Sequence, residues 1–139
     1  MALEFVAEWF KYAEMDFITS EHLLTLRPQP LEIICFHCQQ AAEKYLKGYL
    51  VFANKVEPPK THDLVLLKIE CMKSNSSFDD VSRACEVLTR YGVGARYPNE
   101  MEITENDMQK ALEYVRQIRD FKPLIEVRHK ASPSGGNVI

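Results

Sequence analysis

The sequence predicts an all-α fold, an up-and-down bundle of about five helices with no sheet. Along most of the 139 residues, apolar side chains recur at spacings of three and four, the pattern of helices with one buried face. Prolines and glycines interrupt this pattern at few places, and no segment alternates like a half-buried strand. The length suits one domain with its own core. We expect that domain at residues 1–127 and a flexible tail at 128–139.

The first helix is predicted from Leu3 to about Leu26. Its apolar residues follow the helical repeat over the whole stretch. We assign Phe5, Trp9 and Phe17 to the core, because a stacking platform would need an exposed ring.

The second helix is predicted from Leu31 to Asn54. Pro30 suits its first turn, where the missing N–H would have had no partner. The pair Pro58-Pro59 interrupts the chain again. Thr61 is then placed as the N-cap of a shorter third helix from His62 to about Met72.

Two capping boxes predict the starts of the last two helices. Ser77 and Asp80 have the required spacing, and so do Thr104 and Asp107. Pro123 is expected to end or kink the last helix. The two predicted ranges are Phe78 to about Tyr91 and Thr104 to about Lys122.

Composition narrows the classes of function. The net charge of −3 and the pI near 5.8 argue against a dedicated, sequence-independent nucleic-acid binder, because such a surface has to neutralise many phosphates. Any basic site must be local. No apolar run is long enough to cross a bilayer and no signal peptide is recognised, so we expect a cytoplasmic protein without a membrane contact. No cofactor is indicated.

The four cysteines have no regular spacing. Cys35 and Cys38 form a C-x2-C with His37 between them, a spacing found in zinc and redox sites. Here the pair lies inside a predicted helix, and no second close pair completes a set of four ligands. We therefore interpret these residues as buried helical thiols and expect no metal.

A narrow polar stripe on the second helix is the most informative local feature. At roughly 100° per residue, the stripe residues fall within an arc of about 100°, and the rest of the surface is mostly apolar. A helix of this kind is largely buried, so the stripe is expected to face a groove, a ligand or a second chain. The alternative is a solvated strip. The stripe consists of Gln40, Glu43, Lys44 and Lys47.

Three segments of the chain resemble the HEPN domain, whose name stands for higher eukaryotes and prokaryotes nucleotide-binding. They are CFHCQQAAEKYLKGYL, PPKTHDL and RYGVGARYP, and the resemblance runs from about Trp9 to Phe121. It implies a helical bundle, commonly a homodimer, whose second and fourth helices line a shared polar cleft. In prokaryotes such proteins are often encoded beside a minimal nucleotidyltransferase, with which they form toxin and antitoxin pairs.

The resemblance also implies a test for ribonuclease chemistry. Many HEPN proteins are metal-independent ribonucleases that carry an Arg followed, after four to six residues, by a His. Here Arg90 is the candidate Arg, and Ala95 stands where the His would be. Because that His would transfer the proton, we expect no enzyme unless His37 or His62 reaches the cleft and replaces it.

The remaining residues suit binding. Arg90 and Arg96 can hold a phosphate, Lys44 and Lys47 can add charge, and Tyr97 can stack on a base. With a nucleotidyltransferase partner, Tyr97 would be a plausible target of modification.

Three hypotheses therefore stand: a nucleotide- or RNA-binding subunit, a ribonuclease toxin using Arg90, and a structural dimeric interaction module. The third would apply if Glu43 pairs with Arg90 or Arg96 and the polar set forms a structural network.

Overall fold

The computed structural model describes residues 3–92 and 102–132. This part of the chain contains six α-helices and no strand, which confirms the predicted all-α class. The helices are α1 (Leu3–His22), α2 (Leu31–Asn54), α3 (Leu64–Met72), α4 (Ser82–Leu88), α5 (Glu105–Arg119) and α6 (Lys122–Ala131). Short 3-10 turns stand at Leu23–Thr25, Ser76–Val81 and Thr89–Tyr91.

The first helix ends earlier than predicted, and the second has its predicted bounds. After His22 the chain tightens into the 3-10 turn Leu23–Thr25. Helix α2 runs from Leu31 to Asn54 and ends at Lys55, whose backbone is left-handed with φ of 60°.

The third helix begins two residues later than predicted. Its N-cap is Asp63, whose side chain accepts hydrogen bonds from the backbone N–H groups of Val65 and Leu66. The predicted cap, Thr61, accepts instead from the N–H of Asp63. Both residues are good caps, but the carboxylate also interacts favourably with the positive end of the helix dipole.

The predicted fourth helix is wrong as one continuous element. The segment is a 3-10 turn, the short α4 and a second 3-10 turn. The predicted box of Ser77 and Asp80 is replaced by Asn75, whose side-chain oxygen accepts from the backbone N–H and the hydroxyl of Ser77. Asx residues compete with helix in this way by bonding the backbone two residues on.

The capping box of α5 is confirmed, and Pro123 has a different role from the one predicted. Thr104 Oγ1 accepts from the Asp107 N–H at 3.1 Å, and Asp107 Oδ2 accepts from the Thr104 N–H at 3.0 Å. Pro123 lies in the first turn of α6, where proline is tolerated. The sixth helix therefore continues beyond the expected boundary at residue 127, and positions 133–139 of the expected tail lie outside the described residues.

Helix α2 lies at the centre of the fold and packs against α1, α3, α4, α5 and α6. Most of its residues are buried, including Tyr45, Leu46 and Leu50. The Tyr45 hydroxyl donates to Glu14 of α1, whose carboxylate also accepts two hydrogen bonds from Arg119 of α5. This cluster ties three helices together.

One core assignment from the sequence is wrong. Phe17 is buried as predicted, but Phe5 is 55% exposed, and Trp9 is only partly buried. None of the described helices is long and apolar enough to cross a membrane.

Candidate functional site

The polar stripe of α2 forms one hydrogen-bonded network, and the buried amide of Gln39 connects its parts. Gln39 Nε2 donates to Glu43 Oε1 at 3.2 Å and to the His62 carbonyl at 3.0 Å. Gln39 Oε1 accepts from Gln40 Nε2 at 2.7 Å. Gln39 was not among the site residues predicted from the sequence. Its angle on the helix lies outside the stripe, so only the folded chain reveals it.

Glu43 is the charged centre of the network. It is 5% exposed, and its carboxylate pairs with Lys47 Nζ and with His62 Nδ1, each at 3.0 Å. Burial alone would raise the pKa of Glu43, but hydrogen bonds from His62, Lys47 and Gln39 outweigh it and hold the pKa below its ordinary value. The carboxylate is therefore ionised at neutral pH and orients the His62 imidazole through its Nδ1.

A second set of contacts ties the stripe to α1. Asp16 accepts from Lys44 Nζ at 2.6 Å and lies 2.9 Å from His37 Nδ1. Lys44 also donates to Gln40 Oε1 at 3.3 Å. Both predicted anion-binding lysines, Lys44 and Lys47, thus already have carboxylate partners, which limits what charge they can offer a ligand.

Arg90 stands apart from this network. It is exposed, and its side chain makes no hydrogen bond or ion pair within 3–92 and 102–132. The pKa of Asp107 is lowered mainly by its hydrogen bonds with Thr104 and least by the charge of Arg90, and that carboxylate is engaged in the capping box of α5. An anion that binds the Arg90 guanidinium would therefore displace no hydrogen bond or ion pair within those two ranges.

Two contacts bring the segment that carries Arg90 close to the segment that carries His62. The Leu64 N–H donates to Thr89 Oγ1 at 3.0 Å. A Cβ atom on Gly92 would lie 3.2 Å from Gln39 Nε2, the same amide nitrogen that donates to the His62 carbonyl. Both His62 and Arg90 are exposed. We call this place the His62–Arg90 edge.

A cavity of about 330 Å³ opens at the Lys47 end of the network, beside α1. We call it the Trp9 cavity. Lys47 belongs both to this cavity and to the network, and its Nζ lies 5.8 Å from the centroid of the Trp9 ring. The lining residues are Phe5, Trp9, Lys47, Val51, Glu57, Pro58, Pro59 and Lys60.

The sequence carried a signal for this cavity. Phe5, Trp9 and Tyr12 have the spacing i, i+4, i+7, so they share one face of α1. The buried residues Val6, Phe10 and Ala13 define a different face. Two apolar faces on one helix indicate that one of them is not core.

The cysteines behave as predicted in the described part of the chain. All four are buried and none is in a disulfide, and burial raises the pKa of Cys38 to about 12. Within that part of the chain, no group of three His, Cys, Asp or Glu residues could hold a metal.

The family model for the HEPN domain matches residues 6–125. The chain belongs to the HEPN domain family. A search of solved structures found a similar fold in TT1696 from Thermus thermophilus, with a TM-score of 0.72 and 22% identity, covering 88% of this chain and 97% of that one. No curated protein matches. Three residues that carry the family's ribonuclease comparison, Ala95, Arg96 and Tyr97, lie outside the described residues of this HEPN domain.

Proposed function

We propose that this HEPN domain is a nucleotide- or RNA-binding subunit that holds a phosphate of its ligand at the His62–Arg90 edge. The observation that carries the proposal is that a half-exposed imidazole, His62, and an exposed arginine, Arg90, lie on two segments that contact each other. The His62 side chain is 56% exposed although its Nδ1 is held by Glu43. The match to a domain family named for nucleotide binding supports the same ligand class.

The chemistry of the two groups suits a phosphate. A guanidinium can donate two parallel hydrogen bonds to phosphate oxygens. An imidazole whose Nδ1 lies against a carboxylate presents its other nitrogen to solvent, where it can donate or accept a hydrogen bond. Because the Glu43 network already orients that ring, less conformational entropy is lost on binding.

The family context also supplies a partner. We propose that the chain forms a homodimer and acts with a minimal nucleotidyltransferase, in a toxin and antitoxin pair. The support for this is the HEPN resemblance of its three segments. Arg96 and Tyr97 remain proposed contributors to the site, with Tyr97 as the proposed target of modification.

Titration with ATP, with GTP and with a short single-stranded RNA, each followed by calorimetry, tests the binding. Losing a charged hydrogen-bond donor weakens binding by about 10- to 100-fold, so this loss is expected for Arg90→Ala. Arg83→Ala is the matched control, because Arg83 is 67% exposed on α4 and its nearest ion-pair atom, in Glu86, is 3.8 Å away. No binding of any of the three ligands, or equal affinities for the two variants, would contradict the proposal.

Metal-independent cleavage of RNA is a second candidate, favoured by the Glu43–His62 pair. The outer nitrogen of His62 would take the proton of a ribose 2′-hydroxyl, and the 2′-oxygen would attack phosphorus. The P–O5′ bond then breaks, O5′ takes a proton from solvent and His62 returns its own. When the RNA is incubated with the domain in the presence of EDTA, this activity yields a product that ends in a 2′,3′-cyclic phosphate. The His62→Gln variant should form none of this product, and the control variant His22→Gln should still form it. Intact RNA excludes it.

A further inference from the structure

We infer that the Trp9 cavity is the base-binding subsite of this HEPN domain and takes the nucleobase of a nucleotide or RNA strand whose phosphate lies at the His62–Arg90 edge. The phosphate position rests on the proposed function. The base position rests on separate observations of the cavity.

A chain of side-chain contacts connects the cavity to the edge. Lys47 lines the cavity and pairs with Glu43, which in turn holds His62. Gln39, which contacts the segment of Arg90, and Lys47 are eight positions apart on α2, about 12 Å at the helical rise. One nucleotide or a short strand can therefore reach from the cavity to the edge.

Charge indicates which part of a nucleotide each place accepts. In the cavity, the charge of Lys47 is balanced by Glu43 at 3.0 Å, and Lys60 shares the lining with Glu57. This near-neutral cavity suits an uncharged group. The Arg90 side chain makes no hydrogen bond to any described residue, so the anionic phosphate belongs at the edge.

The lining and the volume of the cavity suit a planar base. Phe5 and Trp9 come from α1, and Pro58 and Pro59 come from the loop after α2, so apolar side chains face the cavity from two elements. Every nucleobase has a π-face that stacks on an aromatic ring without regard to sequence. The volume of about 330 Å³ lies in the range of small-molecule sites.

The intrinsic fluorescence of Trp9 provides a direct test, because the chain has one tryptophan. The probes are AMP, ribose 5-phosphate, which lacks the base, and a short single-stranded RNA. We expect AMP to change the Trp9 emission and ribose 5-phosphate to leave it unchanged. An RNA response at lower concentration than AMP assigns the base to a strand, and the reverse order assigns it to a free nucleotide.

Variants separate the base subsite from the phosphate site. Trp9→Leu is expected to weaken AMP binding, measured by calorimetry, by about 10-fold, and to leave ribose 5-phosphate binding unchanged. Phe5→Ala should weaken AMP binding in the same direction and is expected to fold, because Phe5 is 55% exposed. Ile18→Ala, 59% exposed on the same helix, is the control and should have no effect.

The outcomes distinguish this inference from the proposed function. If AMP binds with unchanged Trp9 emission and unchanged affinity in Trp9→Leu, the base subsite is wrong and nucleotide binding stands. If Trp9→Leu converts a dimer to a monomer while AMP affinity is unchanged, the cavity belongs to a subunit interface and the inference is overturned. If no probe binds, both are overturned.

Discussion

Glu43 determines how much of the α2 stripe is available to a ligand. The residue is 5% exposed, and its carboxylate is shared by Lys47, His62 and Gln39. A buried carboxylate is costly unless cations and donors compensate it. The stripe therefore acts mainly as a support that orients His62, and the groups that can still accept a ligand lie at its margins.

Glu43→Gln should make the stability of the domain less dependent on pH. The pKa of Glu43 is lowered from its ordinary value of 4.5, so its stabilising contribution is present above pH 4.5 and is lost as the pH falls through the lower, folded-state value. Breaking a buried ion pair costs about 3 kcal/mol. We expect a loss of that size in the free energy of unfolding at pH 7, and a smaller one at pH 3.5.

Urea unfolding at pH 7 and pH 3.5 measures both differences. Glu86→Gln is the control, because Glu86 is 55% exposed and its ion pair with Arg83 spans 3.8 Å; surface pairs of this kind contribute about 0–1 kcal/mol. If wild type and Glu43→Gln differ by the same amount at both pH values, the carboxylate does not stabilise the fold by its charge.

The stripe itself could be predicted from the sequence, and its partners could not. Helical periodicity places Glu43 and Lys47 on one face without any knowledge of the fold. His62 lies 19 positions from Glu43 along the chain, and Asp16 lies 28 positions from Lys44. Contacts at such separations depend on how helices pack, so the sequence left a binding cleft and a structural network equally open.

At the scale of the elements, the helix bounds predicted from the sequence were correct where the apolar repeat agreed with the residues that begin and end helices. Helix α2 has an apolar repeat and prolines on both sides, and its bounds were correct. The segment from Ser76 to Tyr91 also has an apolar repeat, but Asn75 competes for the backbone at its start. The repeat and the cap then disagree, and the 3-10 turn Ser76–Val81 stands before α4.

The approach of α1 to α2 depends on Gly48. A Cβ atom there would lie 2.8 Å from Cε1 and 2.9 Å from Cζ of Phe10, and Phe10 is 5% exposed. Alanine is a better helix former than glycine by about 1 kcal/mol, while overpacking a core costs about 1–3 kcal/mol. Steric conflict therefore outweighs propensity here.

Gly48→Ala is expected to lower the free energy of unfolding by roughly 1 kcal/mol, the difference between these two effects. Thermal or urea unfolding measures it. In a Phe10→Leu background the smaller side chain leaves room, so Gly48→Ala should become neutral or stabilising, a coupling that a double-mutant cycle detects. An equal loss in both backgrounds would show that Phe10 is not the obstacle.

At the scale of the whole molecule, the charge of −3 limits how RNA can be bound. With this balance we expect no broad basic surface to follow a phosphate backbone, and the stripe lysines are already paired. Recognition through one edge and one cavity involves few phosphates. The aromatic face of α1 would then provide affinity that does not depend on counterion release.

Binding of a short single-stranded RNA should therefore depend weakly on salt. With about two phosphate contacts, the slope of log K against log salt is about −1.4, and affinity falls roughly 7-fold between 50 and 200 mM salt. Fluorescence anisotropy across that range measures the slope. Arg90→Ala should make it shallower by about 0.7, whereas Trp9→Leu should weaken binding at every salt concentration without changing the slope. A slope steeper than about −4 would require an extended basic surface and would place the RNA elsewhere on the molecule.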